Sequence, residues 1–382
     1  MKKIYVATRA RGFLMRLFKK ENPYFKFIYD DKKIYETNTK TRMFISRLAK
    51  SKIADHMGLI QRVKVRNKEC DIVFSYNRFI HSEKDYVIYL ENPLALVHYS
   101  TNRNKTWLSK MKLKKYFNDP HLKAIICLSK ACYNTIHNFY SIPKTIKVDQ
   151  IYPYILANSL TNPITIKHKC QKKELKCLYI ASNFKLKGGE DILLAFNKLK
   201  ESGINNIKLT IITKKDSLDK NLEKKINSNF NIKLYDFSFN NEDLNELYNE
   251  SCILLNPTRQ DSFPLVLLEA MKSGNAIITT DLYAITEMVE NNYNGYLTYP
   301  KYRFFNYDNI PNEAVWNNRN KTIYSDYIDT NIVDFLYKKL TYLNENRDIL
   351  ESMALNSFNK SNSGEFSEDF IIRKWKDIFF EI

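Results

Sequence analysis

Residues 255–274 read LNPTRQDSFPLVLLEAMKSG, and this stretch carries the clearest sign of how the chain folds. The apolar run that ends near Asn256 is typical of a buried strand, and a polar loop follows it. Pro264 stands where a helix would begin, and Gly274 stands where it would end. The stretch therefore predicts a strand, a loop and a helix, which is the repeating unit of a parallel α/β sheet.

Short apolar segments of the same kind recur along the chain, at spacings that leave room for a helix between them. They lie at 3–7, 71–75, 86–90 and 124–129 in the first half, and at 177–181, 208–212, 232–235, 253–255 and 276–280 in the second. This alternation predicts an α/β fold with two doubly wound domains in tandem.

The polar residues 158–173 have no clear period and separate the two series of strands. We place the first domain at 1–153 and the second at 154–365. Residues 366–382 carry an aromatic and aliphatic stripe at helical spacing. This segment is either a simple terminal helix or a helix that packs back on the first domain, and we choose the second arrangement.

Composition and charge limit the class of protein. The 382 residues are 44% hydrophobic and 27% charged, and no window approaches eighteen consecutive apolar residues, so we expect a chain that is neither exported nor membrane-spanning. Residues 1–150 hold 31 Lys and Arg against 12 Asp and Glu (+19), whereas residues 151–382 hold 29 against 30 (−1). The first half is therefore expected to meet a polyanion, either nucleic acid, an anionic membrane or a phosphate-bearing acceptor.

The six cysteines form no C-x-x-C pair, so we expect buried thiols of a reducing compartment. No helix-turn-helix, RNP or zinc signature accompanies the basic charge, which disfavours nucleic acid as the partner. No Asp-x-Asp follows a predicted strand, and we expect no metal.

Two acids in the opening stretch stand eight residues apart. Asp261 falls in the predicted loop, and Glu269 falls about a turn and a half into the predicted helix, roughly 8 Å along its axis at 1.5 Å per residue. A helix N-terminus presents unpaired N–H groups and a positive dipole end, which suit the diphosphate of a sugar donor. One carboxylate can then meet sugar hydroxyls while the other meets ribose hydroxyls.

The phrase DSFPLVLLEAM at 261–271 resembles the Glu-x7-Glu motif of the retaining glycosyltransferases of family 4, although the first acid here is Asp. That family has the GT-B fold, in which two Rossmann-like domains face a central cleft. The resemblance implies that Asp261 holds the donor sugar and Glu269 the nucleotide ribose. The donor-binding residues that it implies are Lys185, Lys187, Asp261, Ser262, Phe263, Pro264, Leu265 and Glu269.

The phrase SNFKLKGG at 182–189 is similar to the family segment in which an Arg and a Lys grip the donor diphosphate. Lys187 matches the family Lys. The usual Arg is absent, and Lys185 can replace its charge, although a lysine makes a point contact where an arginine makes two.

In the first domain the family often has a histidine after a strand, near the donor sugar. Here the predicted strand at 86–90 is followed by Glu91, and the nearest histidine is His98. Either side chain can hydrogen-bond the sugar or take the acceptor proton. The catalytic residues that we expect are Asp261, Glu269, Lys187, Glu91 and His98.

Two segments of the first half, 12–20 and 107–117, combine basic residues with large apolar ones. Each can lie on an anionic membrane, where every Lys or Arg adds about 1 kcal/mol, or can be an ordinary amphipathic helix that packs on a sheet. The residues that we expect at the acceptor or the membrane are Arg11, Arg16, Lys19, Lys20, Trp107, Lys110, Lys112, Lys114 and Lys115.

The resemblance thus implies a retaining hexosyltransferase that takes a UDP- or GDP-sugar, without a cofactor, and a lipid-linked glycan acceptor. Few glycines and many Lys, Asn and Ile are typical of low-GC bacterial genes. They fit capsule or lipopolysaccharide synthesis by a cytoplasmic protein held peripherally at the inner face of the membrane. The alternatives are a non-catalytic GT-B partner subunit that binds a sugar nucleotide, and a basic polyanion-binding protein.

Overall fold

The structure is a computed structural model that describes residues 1–9, 11–30, 51–65 and 69–382. It divides into two compact units. One consists of Met1–Ile155 together with Glu365–Ile382, and the other consists of Leu156–Gly364.

The first unit is built on a parallel sheet. Its described strands are β1 (Lys2–Val6), β2 (Phe25–Ile28), β3 (Arg62–Lys64), β4 (Ile72–Tyr76), β5 (Phe79–His81), β6 (Tyr86–Leu90), β7 (Leu122–Cys127) and β8 (Lys147–Gln150). Six of them form one sheet in the order β2-β1-β4-β6-β7-β8, and β3 pairs with β5 apart from it. The described helices are α1 (Leu14–Phe18), α2 (Lys52–His56), α3 (Trp107–Phe117), α4 (Lys130–Phe139) and a C-terminal helix (Glu368–Glu381).

The sheet of the first unit is covered on both faces. Every residue of β4 and of β6 is buried, which explains why these strands read as continuous apolar runs in the sequence. The C-terminal helix buries one stripe, and its Trp375 ring lies 5.6 Å from Phe74 and 5.2 Å from Tyr89. This helix is therefore part of the core that holds β4 and β6 in place.

The second unit holds a six-stranded parallel sheet. Its strands are β9 (Leu175–Ala181), β10 (Ile207–Thr213), β11 (Ile232–Asp236), β12 (Ile253–Asn256), β13 (Ala276–Thr280) and β14 (Gly295–Thr298). Its helices are α5 (Pro163–Cys170), α6 (Gly189–Glu201), α7 (Lys220–Asn227), α8 (Asn241–Glu250), α9 (Leu265–Lys272), α10 (Ile285–Met288), α11 (Glu313–Trp316), α12 (Thr330–Glu345) and α13 (Arg347–Asn362).

The strand order in the second unit is β11-β10-β9-β12-β13-β14. The direction of winding reverses between β9 and β12, and doubly wound sheets bind their ligands at the carboxyl ends of the strands beside such a reversal. The predicted class, two doubly wound α/β domains in tandem, is confirmed. None of the described helices is long and apolar enough to cross a membrane.

Candidate active site

The loops that follow β9 and β12 touch each other at the carboxyl edge of the second sheet. Gly188 has a left-handed φ of 72°, and a Cβ on it would collide with the carbonyl oxygen of Pro257. The backbone N–H of Arg259 donates to the carbonyl oxygen of Leu186 at 3.0 Å. The missing side chain of glycine thus lets the two loops approach closely, on either side of the reversal point.

This approach brings Lys187 and Asp261 into contact. The Lys187 ammonium pairs with Oδ2 of Asp261 and donates to the carbonyl oxygen of Gln260 at 2.8 Å. The two side chains are 22% and 19% exposed, so both remain within reach of a ligand. A phosphate can replace the carboxylate as the partner of Lys187, which would leave Asp261 to accept hydrogen bonds from hydroxyl groups.

The helix α9 begins directly after this loop. Pro264 is its N-cap residue and provides no side-chain cap, and the first turn contains no acidic residue. The positive end of the helix is therefore not compensated from within its own first turn. The loop before it is held by Asp261, which accepts the backbone N–H of Ser262 at 2.9 Å. Of the neighbouring predicted residues, Phe263 is buried and Leu265 is half-buried.

Glu269 lies on α9, and its carboxylate is oriented from a neighbouring helix. The hydroxyl of Tyr248, a buried residue of α8, donates to Oε2 of Glu269 at 3.0 Å. Glu269 is half-buried. The structure thus places the two predicted acids of the second unit on one loop and the helix that follows it, each with a named hydrogen-bond partner.

Lys185 is placed differently from Lys187. Its ammonium pairs with Asp326 at 2.7 Å, and the two side chains are 41% and 81% exposed. The hydrogen bond that Lys185 donates to Asp326 raises the pKa of Lys185. Because the pair is exposed, it contributes little to stability and a phosphate can displace it easily.

Arg259 is a residue of this site that the sequence does not single out. Its guanidinium is buried, pairs with the buried carboxylate of Asp191 at 3.1 Å and donates to the carbonyl oxygen of Tyr327 at 2.8 Å. It also lies 4.0 Å from the centre of the Tyr327 ring. Burial raises the pKa of Asp191, and the charge of Arg259 opposes that rise. Arg259 thus joins the loop of Asp261 to α6 and to the segment around Tyr327, with contacts more than sixty residues apart in sequence.

In the first unit, Glu91 lies at the carboxyl end of β6 in a dense polar cluster. Its Oε2 accepts hydrogen bonds from the hydroxyls of Tyr76 (2.9 Å) and Tyr99 (3.2 Å) and from the side-chain amide of Asn77 (3.4 Å). Arg11 forms an ion pair with the same oxygen at 3.3 Å. Burial, and after it the Glu91 charge, raises the pKa of both tyrosines, so that both stay protonated and donate. Each of these four contacts is made to Oε2.

His98 accepts a backbone N–H through its ring. It ends a short 3-10 helix (Pro93–Val97) with a left-handed φ of 59°, and its Nε2 accepts the backbone N–H of Gln61 at 3.2 Å. Asn77 and Tyr99 are also left-handed, with φ of 58° and 60°. Such strain in non-glycine residues collects at functional sites, and here it surrounds Glu91.

Most of the residues predicted to face the acceptor or the membrane are exposed, and Lys112 is hydrogen-bonded within the chain. On α3, Trp107 is 70% and Met111 50% exposed, while Lys112 donates to the carbonyl oxygen of Gly58 at 2.9 Å. The exposed basic residues of the predicted set are Arg11, Lys19, Lys20, Lys110, Lys114 and Lys115, and Arg16 is half-buried.

The described parts of the chain hold no group of three or more His, Cys, Asp or Glu side chains that could bind a metal ion. All six cysteines are buried free thiols.

Residues 162–303 match the family described as Glycosyl transferases group 1. The matched range contains Lys187, Asp261 and Glu269. The second unit carries a group 1 glycosyltransferase domain. The protein is accordingly a transferase enzyme, as the sequence predicted. No curated protein matches the chain.

Solved structures share the fold of this glycosyltransferase. Anabaena Alr3699/HepE in complex with UDP has a TM-score of 0.63 at 13% identity, with 100% of each chain covered. WaaG, a glycosyltransferase involved in lipopolysaccharide biosynthesis, has a TM-score of 0.58 at 14% identity, with 99% of each chain covered. TarM has a TM-score of 0.54 at 15% identity, and the match covers 81% of this chain but only 54% of TarM. At these identities the likeness shows the fold, and the predicted GT-B class is confirmed.

Proposed function

We propose that the protein is a retaining glycosyltransferase that moves a sugar from a UDP- or GDP-sugar to a lipid-linked glycan in bacterial surface polysaccharide synthesis. The contact between Lys187 and Asp261 carries the donor part of this proposal, since it joins a cation and a carboxylate beside the N-terminus of α9. HepE has been solved with UDP and with UDP-glucose, which supports a nucleotide-sugar donor here.

The second unit has the groups that the departure of a nucleoside diphosphate requires. Lys187 and the N–H groups at the start of α9 stabilise the negative charge that develops on the leaving phosphate. Asp261, released from Lys187 by that phosphate, accepts hydrogen bonds from hydroxyls of the transferred sugar. Glu269, oriented by Tyr248, accepts hydrogen bonds from the ribose.

In the proposed reaction the acceptor hydroxyl approaches the anomeric carbon on the face from which the diphosphate leaves. The bond from that carbon to the phosphate oxygen breaks, and a bond to the acceptor oxygen forms. The acceptor proton passes to the leaving phosphate, so the configuration is retained without a strong protein base.

Of the two candidates in the first unit, we favour Glu91 over His98 for contact with the acceptor hydroxyl. Glu91 has four partners on one carboxylate oxygen, whereas Nε2 of His98 already accepts a backbone N–H. A carboxylate held in this way can orient a hydroxyl through its second oxygen.

We also propose that the protein works in the cytoplasm, bound peripherally to the inner face of the membrane, where a lipid-linked acceptor would lie. The exposed Trp107 and Met111 stand on α3 with Lys110, Lys114 and Lys115. Aromatic and basic side chains together suit an anionic lipid surface, and each lysine adds about 1 kcal/mol of attraction.

The first test is thermal stabilisation by UDP, GDP, ADP, CMP and their common sugar derivatives. A nucleotide at a hundred times its dissociation constant adds about 2.7 kcal/mol of stability. We expect UDP or GDP to stabilise the wild type and the control Glu345→Ala, an exposed acid on α12, but not Glu269→Ala or Lys187→Ala. If no nucleotide stabilises the wild type, the proposal is wrong and a polyanion-binding role is favoured.

Transfer must then be separated from mere binding. We expect release of the nucleotide from the sugar donor when membranes that carry lipid-linked glycan are added, with the anomeric configuration of the product equal to that of the donor by NMR. Binding without turnover would instead identify a non-catalytic partner subunit, and an inverted product would exclude the retaining mechanism.

A further inference from the structure

Three side chains form a cluster just after β14, at the same edge of the second sheet as Lys187 and Asp261. The guanidinium of Arg303 lies 4.9 Å from the centre of the Tyr299 ring and 4.0 Å from that of Tyr307. The two rings are 5.8 Å apart and nearly perpendicular. β14 is two strands from β12, so the carboxyl ends of these two strands are about 10 Å apart along the sheet edge.

Arg303 is unusual in its hydrogen bonding. Its side chain is 15% exposed, and neither Nε nor Nη1 finds an acceptor among the residues that the structure describes. The carboxylate of Asp281 lies 3.7 Å from Nη2 of Arg303. Buried guanidinium groups normally have their N–H groups satisfied. Nε and Nη1 of Arg303 are both buried and unsatisfied among the described residues, so an anion that is not part of the chain would satisfy them by entering beside the guanidinium.

The two tyrosines of the cluster are exposed. Tyr299 is 57% and Tyr307 74% exposed, and each ring contacts the Arg303 guanidinium. Exposed tyrosines are typical of binding surfaces, because they offer a large apolar face at a small entropic cost.

The residue range that matches the family ends within the cluster. The matched range ends at Arg303, so the segment with Tyr307, Phe304 and Trp316 lies beyond it. None of the three cluster residues belongs to the predicted donor or acceptor sites.

We infer that Tyr299, Arg303 and Tyr307 form a binding site for a negatively charged saccharide, in which the guanidinium binds a carboxylate or phosphate and the tyrosine rings pack against the C–H faces of a sugar. Guanidinium groups pair with both anions in bidentate geometry, and aromatic rings complement the apolar faces of pyranoses. Exposed Lys301, two residues before Arg303, adds a second positive charge. The site is independent of the donor site and does not require that the proposed transfer take place.

The test is isothermal titration calorimetry of the full chain with three probes: tetragalacturonate, glucose 6-phosphate and neutral maltotetraose. We expect an anionic probe to bind the wild type, and the two anionic arms show whether carboxylate or phosphate is preferred. Arg303→Gln and Tyr307→Ala should each lower the affinity at least tenfold. Tyr307 is largely exposed, so this second variant keeps the test valid if Arg303→Gln folds poorly.

Two matched controls and one background variant complete the experiment. Lys338→Gln and Tyr342→Ala remove an exposed cation and an exposed tyrosine from α12 and should leave the affinity unchanged. Glu269→Ala should bind the anionic probe like the wild type, which separates this site from the donor site. Three results would each overturn the inference: no binding, equal binding in Arg303→Gln, and maltotetraose binding as tight as that of the charged probes.

Discussion

The candidate residues at the edge of the second sheet come from two short stretches of sequence, whereas Glu91 in the first unit is held by residues from three separate segments. The supports differ as well. In the second unit the buried ion pair of Arg259 and Asp191 holds the loop of Asp261, while in the first unit the buried contacts to Glu91 come from the neutral phenols of Tyr76 and Tyr99 and its charged partner, Arg11, is exposed. A charged support leaves an unpaired buried charge when one partner is lost, and a neutral support leaves only a missing hydrogen bond.

The largest effect is therefore expected from Arg259→Met. This change leaves the Asp191 carboxylate buried without its cation, and breaking such a pair costs about 3–5 kcal/mol. We expect the free energy of unfolding, measured by urea denaturation, to fall by that amount. Arg373→Met, an exposed arginine of the C-terminal helix, should change it by less than about 0.5 kcal/mol.

A double variant tests whether the loss of stability in Arg259→Met comes from the unpaired charge of Asp191. Arg259→Met with Asp191→Asn removes both charges, and we expect it to regain a large part of the lost stability. If the double variant is as unstable as the two single losses added together, the pair acts through packing around Tyr327, and the contrast between charged and neutral supports is lost.

A smaller effect is expected in the first unit from Glu91→Gln. This change keeps the shape of the side chain but removes the negative charge that four donors and the proposed acceptor hydroxyl share. Hydrogen bonds to charged groups are worth about 2 kcal/mol, so we expect the rate of transfer to fall about 30-fold. Stabilisation by UDP or GDP should not change, because the donor residues lie in the second unit.

Tyr76→Phe is the variant to compare with Glu91→Gln. It removes one of the four contacts to Oε2 and keeps the ring, and we expect transfer to fall only a few-fold, since one neutral donor is worth about 1 kcal/mol. Unchanged transfer in Glu91→Gln would contradict a role for this carboxylate at the acceptor.

The parts of the molecule that the sequence predicted are those with local patterns. Parallel strands buried on both faces read as apolar runs, so the two sheets could be predicted from periodicity. Lys187 and Asp261 follow strands within recognisable phrases, and the reversal between β9 and β12 brings such loops together. The predicted helix end at Gly274 is also present, with a left-handed φ of 60°.

The other contacts depend on residues outside any recognisable motif and carry no local signal. Arg259 looks like an ordinary loop arginine, because its partner Asp191 is 68 positions away. Lys185 reads as a second phosphate ligand, and its pairing with Asp326 depends on a segment 141 residues further on that has no motif. Glu91 follows a predicted strand, but nothing near it shows that Tyr76 and Tyr99 converge on one of its oxygens.

The smallest predicted effect is on the pH dependence of stability. It compares a buried charged group, Lys169, with the neutral phenols of Tyr76 and Tyr99. Lys169, at the end of α5, is buried, and its ammonium donates to the carbonyl oxygen of Ser273 at 2.7 Å. Burial lowers the pKa of Lys169 from 10.5 to about 8. Between these two values the unfolded chain holds a proton that the folded chain has released. Stability contributed by this group therefore rises with pH, by about 1 kcal/mol from pH 7 to pH 9.

Urea denaturation of the wild type and of Lys169→Met at pH 7 and pH 9 measures this contribution. Lys172→Met controls for loss of an exposed lysine. The charge of Lys169 also lowers the pKa values of the neighbouring Cys170 and Cys252 thiols, so the difference between the two curves measures Lys169 together with its effect on these thiols. The phenols of Tyr76 and Tyr99 cannot produce an increase of stability between pH 7 and pH 9. Their pKa values are raised, so the folded chain keeps those protons longer, and their effect is a loss of stability above about pH 10. Equal slopes in wild type and Lys169→Met would mean that the hydrogen bonds of the ammonium offset its burial, and that the second unit tolerates a buried charge without a carboxylate partner.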